Sequence, residues 1–227
     1  MKILINDLMQ YSDAPDEIKS PSLSDAYRVS NTFTVTLDDT ATIDCIGIGY
    51  TDATEVIISA GSDSDAQTIK ITQDAPYHNG LYLLDTEITS DTFTITHDGN
   101  FIGRVGLGAY RTLGTSPTKE IGWYTTNESR TTLSGQVIPG AGGYNGRRFE
   151  ADVRYKIDAD VVADIQAAYT SQIMRGFPYF LLLDDEQHKV PATMLHFYAA
   201  TDKPLSMLQS SSYRFLYSYK FQFYERF

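Results

Sequence analysis

Residues 131–184 read TTLSGQVIPGAGGYNGRRFEADVRYKIDADVVADIQAAYTSQIMRGFPYFLLLD. Phe149, Ala151, Val153, Tyr155 and Ile157 alternate with Glu150, Asp152, Arg154 and Lys156. Successive side chains of a strand point to opposite faces, so this period of two predicts a half-buried β-strand. The spacing then changes. Val161, Val162, Ile165, Ala168, Tyr169 and Ile173 recur at helical intervals, with Asp158 suited to the N-cap and Asp160 to the electropositive first turn. Gly176 and Pro178 stop the pattern, which predicts a helix over 158–175, a rod about 27 Å long. Tyr179 to Leu183 is apolar on both faces, the signature of a strand in the middle of a sheet.

The glycine-rich run Gly140 to Gly146 invites a phosphate-loop reading. Such a loop needs amides at a helix N-terminus, and no helix follows it directly, nor any Lys-Ser/Thr pair. It reads instead as a hairpin tip between a strand at Thr131 to Val137 and the alternating strand after it. Downstream, Met194 to Ala200 predicts another strand. Tyr213, Phe215, Tyr217, Tyr219, Phe221 and Phe223 then alternate with mostly polar neighbours, a long strand with the aromatic area of a core or interface element.

Upstream, the chain reads as many short strands. Asn31 to Leu37 alternates, Asp38-Asp39 reads as a turn, and Ile43 to Tyr50, Glu55 to Ser59 and Gln67 to Thr72 follow as strands. Gly61 to Asp65 is a turn. Gly47 and Gly49 inside a strand suggest a bulge or a close backbone approach. Pro76 to Tyr82 reads as a loop with Asn79-Gly80 as a tight turn, Leu81 to Leu84 as a brief pairing segment, and Thr92 to Thr96 as a strand. Asp98-Gly99 turns the chain into a last strand, Phe101 to Leu107. Residues 6–30 read as an extended lead-in with little regular structure. Short strands at 8–12-residue spacing predict a β-sandwich or jelly roll.

Bulk properties narrow the classes. At 227 residues the chain is comfortable for two domains, and 42% hydrophobic residues support real cores. A single cysteine excludes a disulfide-stapled scaffold, and Cys45 reads as a small buried hydrophobe. Residues 1–110 hold 17 Asp/Glu against 5 Lys/Arg, whereas residues 111–227 hold 12 against 13. The acidic half repels phosphate backbones, so no duplex nucleic-acid partner is expected for it and no nucleic-acid sequence recognition. The apolar start Met1 to Ile5 ends at Asn6 and Asp7, too short for a signal core, and no run reaches the ~20 residues that span a membrane, so no membrane insertion is expected.

Chemistry-bearing patterns are sparse. His78, His97, His188 and His196 lack H-x-H, H-E-x-x-H or a cysteine partner, so no metal is expected. Gly106-Leu107-Gly108 lacks the third glycine and helix of a dinucleotide site. No G-x-S-x-G elbow occurs, and Asp184-Asp185-Glu186 reads as a solvated turn. No catalytic residue, no enzymatic activity and no cofactor are expected. The loop residues Tyr50, Asp52, Tyr77, His78 and Asn79 combine aromatic and amide groups in a way that suits sugar recognition, and are the ligand-binding candidates. Trp123, within a turn-rich connector at 111–130, reads as a linker anchor.

Two resemblances sharpen this. FTVTLDDTATIDCIGIGYTDATEVIISAGSDSD, followed by SDTFTITHDGNFIGRVGLGAY, resembles the galactose-binding-like, discoidin-type jelly roll over about residues 25–110. That resemblance implies loops at one end that contact sugars, lipids or proteins. SGQVIPGAGGYNGRRFEADVRYKIDADVVADIQAAY resembles the tail-tube and distal-tail ring proteins of tailed bacteriophages, with the likeness extending over about 125–227. It implies a β-sandwich flanked by one helix, repeated around a ring.

The expected fold is therefore mainly β: an N-terminal jelly-roll β-sandwich with its lead-in (1–110), a connector (111–130), and a C-terminal tail-tube-like β-sandwich with one α-helix (131–227). The expected function is that of a structural virion protein of a phage tail tip or baseplate, made in the bacterial host cytoplasm. Its expected partners are copies of itself in a trimer or hexamer ring, other tail proteins and a host surface glycan. Gly142, Gly143, Tyr144, Asn145, Tyr217, Tyr219, Phe221 and Phe223 are the candidate oligomer contacts. The alternative is a carbohydrate-binding module with no virion role.

Overall fold

In a computed structural model of the chain, the described residues are 2–5, 7–20, 25–61, 65–71, 78–112, 118–125, 130–131, 137–138, 145–156, 163, 179–183, 196–200, 206–209 and 217–225. The fold is mainly β. In chain order come β1 (Lys2–Ile5), a 3-10 turn (Leu8–Tyr11), α1 (Asp16–Lys19), β2 (Thr32–Thr51), β3 (Glu55–Ser59), β4 (Gln67–Lys70), β5 (His78–His97), β6 (Val105–Thr112) and β7 (Thr118–Thr125). β8 (Arg130–Thr131), β9 (Val137–Ile138), β10 (Asn145–Lys156), β11 (Tyr179–Leu182), β12 (His196–Ala200), β13 (Ser206–Gln209) and β14 (Tyr217–Glu225) follow. Twelve of these strands form one sheet in the order β4-β3-β5-β2-β6-β1-β11-β12-β14-β10-β7, with β13 also on β14, and β8-β9 make a separate hairpin.

The long ribbon of β2 and β5 builds the first half. It pairs in four stretches, with register shifts between Thr36 and Ala41, Ile43 and Cys45, and Gly49 and Thr51. An irregularity bends a strand and raises its twist. The ribbon thereby serves two layers. β3 extends it at Thr94 to His97 of β5, and β6 extends it at Cys45 to Ile48 of β2. Phe33, Val35, Val56, Ile58, Phe93 and Ile95 meet Ile46, Ile48, Val105 and Leu107 in one buried cluster. Burying a side chain of this size stabilises by about 1.5–3 kcal/mol, and that sum holds the layers together.

Several expectations change here. Asp38-Asp39 is no turn, because β2 runs through it. Residues 38–40 are exposed and the ribbon absorbs the extra length as a register shift, so polar residues need no chain reversal there. Asn79-Gly80 is no turn either, since both lie inside β5 opposite Gly49 and Ile48. Pairing of the expected strand Phe101 to Leu107 begins only at Val105, and Ile102 makes isolated bridges to Tyr27 and Thr51. The lead-in carries two single-turn helices. Residues 111–130, expected as a connector, contribute β7 with Trp123 opposite Arg147. Thr131 to Val137 is not one strand, because Thr131 ends β8 and Val137 begins β9, its antiparallel partner. The expected helix 158–175 lies outside the described residues except for Ala163, which is helical.

The lead-in is locked by a buried ion pair. Asp7 (5% exposed) caps the 3-10 turn through Met9 N at 3.1 Å, accepts from Leu107 N at 3.2 Å and pairs with Arg104 (3% exposed). Arg104 also donates to the carbonyls of Ile18 at 3.3 Å and Lys19 at 2.5 Å, which ties α1 to the start of β6. Met9 and Ile18, both fully buried, close that side of the core.

The two halves share one sheet through β1, which pairs with β6 on one side and β11 on the other. They also share a socket. Gly47 and Gly106 sit opposite each other on β2 and β6. The ring of Phe180 from β11 lies over them, beside Leu4, Cys45 and Leu81. A methyl group at Gly47 would overlap the ring, and one at Gly106 would sit 2.7 Å from Leu4 Cδ2 and 2.9 Å from Phe180 Cε2. The close approach expected at Gly47 is thus real, and the bulge expected nearby lies between Gly49 and Thr51. The central position expected for Tyr179 to Leu183 holds: β11 is flanked by β1 and β12, with Tyr179, Phe180, Leu181 and Leu183 buried.

Candidate functional site

The segments 50–54 and 97–103 leave β2 and β5 at opposite ends of their ribbon, meet through Asp52 and Asp98, and form the best-defined polar cluster of the described residues. Tyr50 has φ of +57°, the left-handed region that a non-glycine residue adopts at a cost. Three contacts hold it. Its N–H donates to Asn79 Oδ1 at 2.7 Å, its carbonyl accepts from Gly103 N at 2.9 Å, and its ring tilts against Phe101 at 5.1 Å between centroids. The Arg28 guanidinium lies over the other part of this stack, 4.5 Å from the Phe101 centroid.

Two carboxylates staple the loops. Asp52 accepts from Asn100 N at 2.8 Å, Asn100 Nδ2 at 2.7 Å and Phe101 N at 3.2 Å. Asp98 accepts from Thr54 N at 2.8 Å, Glu55 N at 2.9 Å and the Thr54 hydroxyl. Slight burial pushes both carboxyls up. The donors outweigh it, with the Asn100 amide foremost for Asp52 and the Thr54 hydroxyl for Asp98, and hold both below the ordinary carboxylate value. A depressed folded-state pKa contributes stability above the unfolded value of about 3.9, lost as pH falls through the folded one. Wild-type protein is expected to lose stability as pH falls below about 4, and Asp52→Asn with Asp98→Asn to flatten that slope in acid titrations of denaturation midpoints. An unchanged slope would show that these staples carry no linkage.

Of the expected ligand residues, the structure brings Tyr50, Asp52 and Asn79 together, with His78 opposite Thr51 in the ladder. Tyr77 lies outside the described residues. Asn79 Oδ1 and the Asp52 carboxylate, however, are engaged by Tyr50 and by Asn100 and Phe101 within the protein. Sequence reading missed Arg28, His97, Asn100 and Phe101. Asp98-Gly99 was legible as a turn, but the staple it makes to Thr54 and Glu55 spans 43–44 residues and has no local signature. Among the described residues no three His, Cys, Asp or Glu side chains converge as a metal site. Nor is any described helix long and apolar enough to cross a membrane.

Of the expected oligomer contacts, Gly142, Gly143 and Tyr144 lie outside the described residues, and Asn145 begins β10 opposite Thr125. Tyr217, Tyr219, Phe221 and Phe223 lie on β14, which is paired with β10 on one side and with β12 and β13 on the other. Among the described residues, most of its main chain is therefore paired within the chain. Gln222 of β14 is buried and donates to Glu150 on β10. The strands at the two ends of the sheet are the four-residue β4, on β3, and the eight-residue β7, which pairs with β10 alone among the described residues.

Compared with known proteins, the chain matches no family model, no curated protein and no solved structure.

Proposed function

We propose that this chain is a structural component of a tailed-bacteriophage tail tip or baseplate, assembling with copies of itself into a trimer or hexamer ring alongside other tail proteins. One observation carries the reading: a single antiparallel sheet runs through both halves and ends, among the described residues, on the eight-residue strand β7. An edge strand presents N–H and C=O groups that pair readily with another chain, and a ring is the closed form of such head-to-tail addition. The likeness of 125–227 to tail-tube and distal-tail proteins supports the same assignment. In this view the jelly-roll-like first half faces outward, toward a host glycan or another virion protein.

Sedimentation and negative-stain imaging of the purified chain test the reading, with rings of three or six copies expected. Successive residues of an edge strand point their N–H groups alternately inward and outward. Of the neighbours Ile121 and Gly122, one therefore directs its N–H outward; proline at that position removes the outward donor without breaking the β10 ladder, and that variant is expected to stay folded and monomeric, whereas proline at the other breaks the ladder. A wild-type chain that remains monomeric at all concentrations, or a ring unaffected by both prolines, overturns the proposal.

A further inference from the structure

His97 ends β5. Its main-chain N donates to Asn31 O at 2.8 Å, and it stands opposite Val56 of β3. Its side chain is 3% exposed, and among the described residues neither ring nitrogen has a hydrogen-bond partner. Asp52 and Asp98 are the charges that act on it. The other charged side chains of the surrounding segments are Glu55 on β3 and Arg28 ahead of β2. Such a slot accepts a neutral imidazole. A proton added there becomes a buried charge with no acceptor, which costs far more than an unpaired neutral group. A cation that leaves the slot regains solvent and keeps the attraction of Asp52, which is partly buried, and Asp98, which is exposed.

We infer that His97 is a proton-operated latch on the loop tip: neutral, it keeps 50–54 and 97–103 closed, and protonated, it leaves its slot and loosens them. Burial pulls the imidazole below its ordinary value. The main-chain groups of Ser30 and Gly99 and the two aspartates pull the other way, but neither main-chain group completes a well-formed hydrogen bond to the ring. With the closed-state pKa depressed, the closed form is fully favoured above the free imidazole value of about 6.5 and loses ground as pH falls below it. The tip is built to respond locally. It holds the strained Tyr50, and beyond the ladder pairs of Thr51 and His97 its closure rests on a few loop hydrogen bonds.

Amide hydrogen exchange from pH 7.5 to 5.0, corrected for the intrinsic pH dependence of exchange, tests this on the full chain. Asp52 and Asp98 stay ionised throughout that range. Opening of 50–54 and 97–103 is expected to rise by up to about 30-fold at pH 5, the ratio set by an ordinary imidazole pKa of about 6.5. In His97→Gln and His97→Phe the rise should vanish, the glutamine variant serving if phenylalanine does not fold. An equal rise in the variants, no rise in wild type, or a rise spread evenly over the whole sheet overturns the inference.

Discussion

Phe180→Ala is expected to lower the unfolding free energy by about 3–5 kcal/mol, the usual cost of emptying a buried aromatic site. The ring is 2% exposed and fills the gap left by two facing glycines, which have no side chains to fill the space. Gly47→Val attacks the same socket from the other side, since its Cβ would overlap the ring. That ring has nowhere to retreat with Gly106 and Leu4 around it. The informative measurement is the double-mutant cycle in urea. Because the added valine occupies part of the void left by the ring, the double variant should be destabilised by less than the sum of the singles, by more than about 1 kcal/mol. Strict additivity would mean that the glycines and the ring do not share this space.

Arg104→Met should cost a comparable amount, about 3–5 kcal/mol, by leaving the Asp7 carboxylate buried without its cation. Asp7 is already pushed upward by burial, with Arg104 as the main opposing pull. Removing that pull makes protonation the way out. The variant's deficit should therefore shrink as pH is lowered from about 7.5 to 5, because a neutral carboxyl no longer carries a buried charge. Chemical denaturation at the two pH values checks this. A deficit of the same size at both would assign the loss to the severed contacts with Ile18 and Lys19 instead.

The strands with a clean period of two were legible from the sequence alone. Glu55–Ser59 occurs as expected, the alternation around Phe149 is β10, and the doubly apolar Tyr179 to Leu183 sits mid-sheet. What misled was local turn chemistry. Asp38-Asp39 and Asn79-Gly80 carry strong reversal signals. Residues 38–40 are exposed, so polar residues sit in strand there without penalty, and the buried Asn79 spends its amide oxygen on Tyr50 rather than on its own turn. The candidate site was half legible. Tyr50, Asp52 and Asn79 do meet, but Asn100, Phe101 and Arg28 arrive through pairings distant in sequence, which spacing cannot report. The glycines at 47 and 106 were visible singly. That they face each other beneath Phe180 is a fact of register.

The position of β1 has a consequence for synthesis on the ribosome. Lys2 to Ile5 can join β6 once Thr112 has emerged, but its other partners, Leu181 and Leu182, are translated much later. At about 5–20 residues per second, the interval between finishing β6 and finishing β11 is on the order of several seconds. Throughout it the nascent chain carries a folded first half whose outermost strand, KILI, is apolar and has one side awaiting its mate. A chaperone that shields this waiting strand, or slow decoding that prolongs the wait, would change the yield of native protein without altering a single contact in the finished molecule.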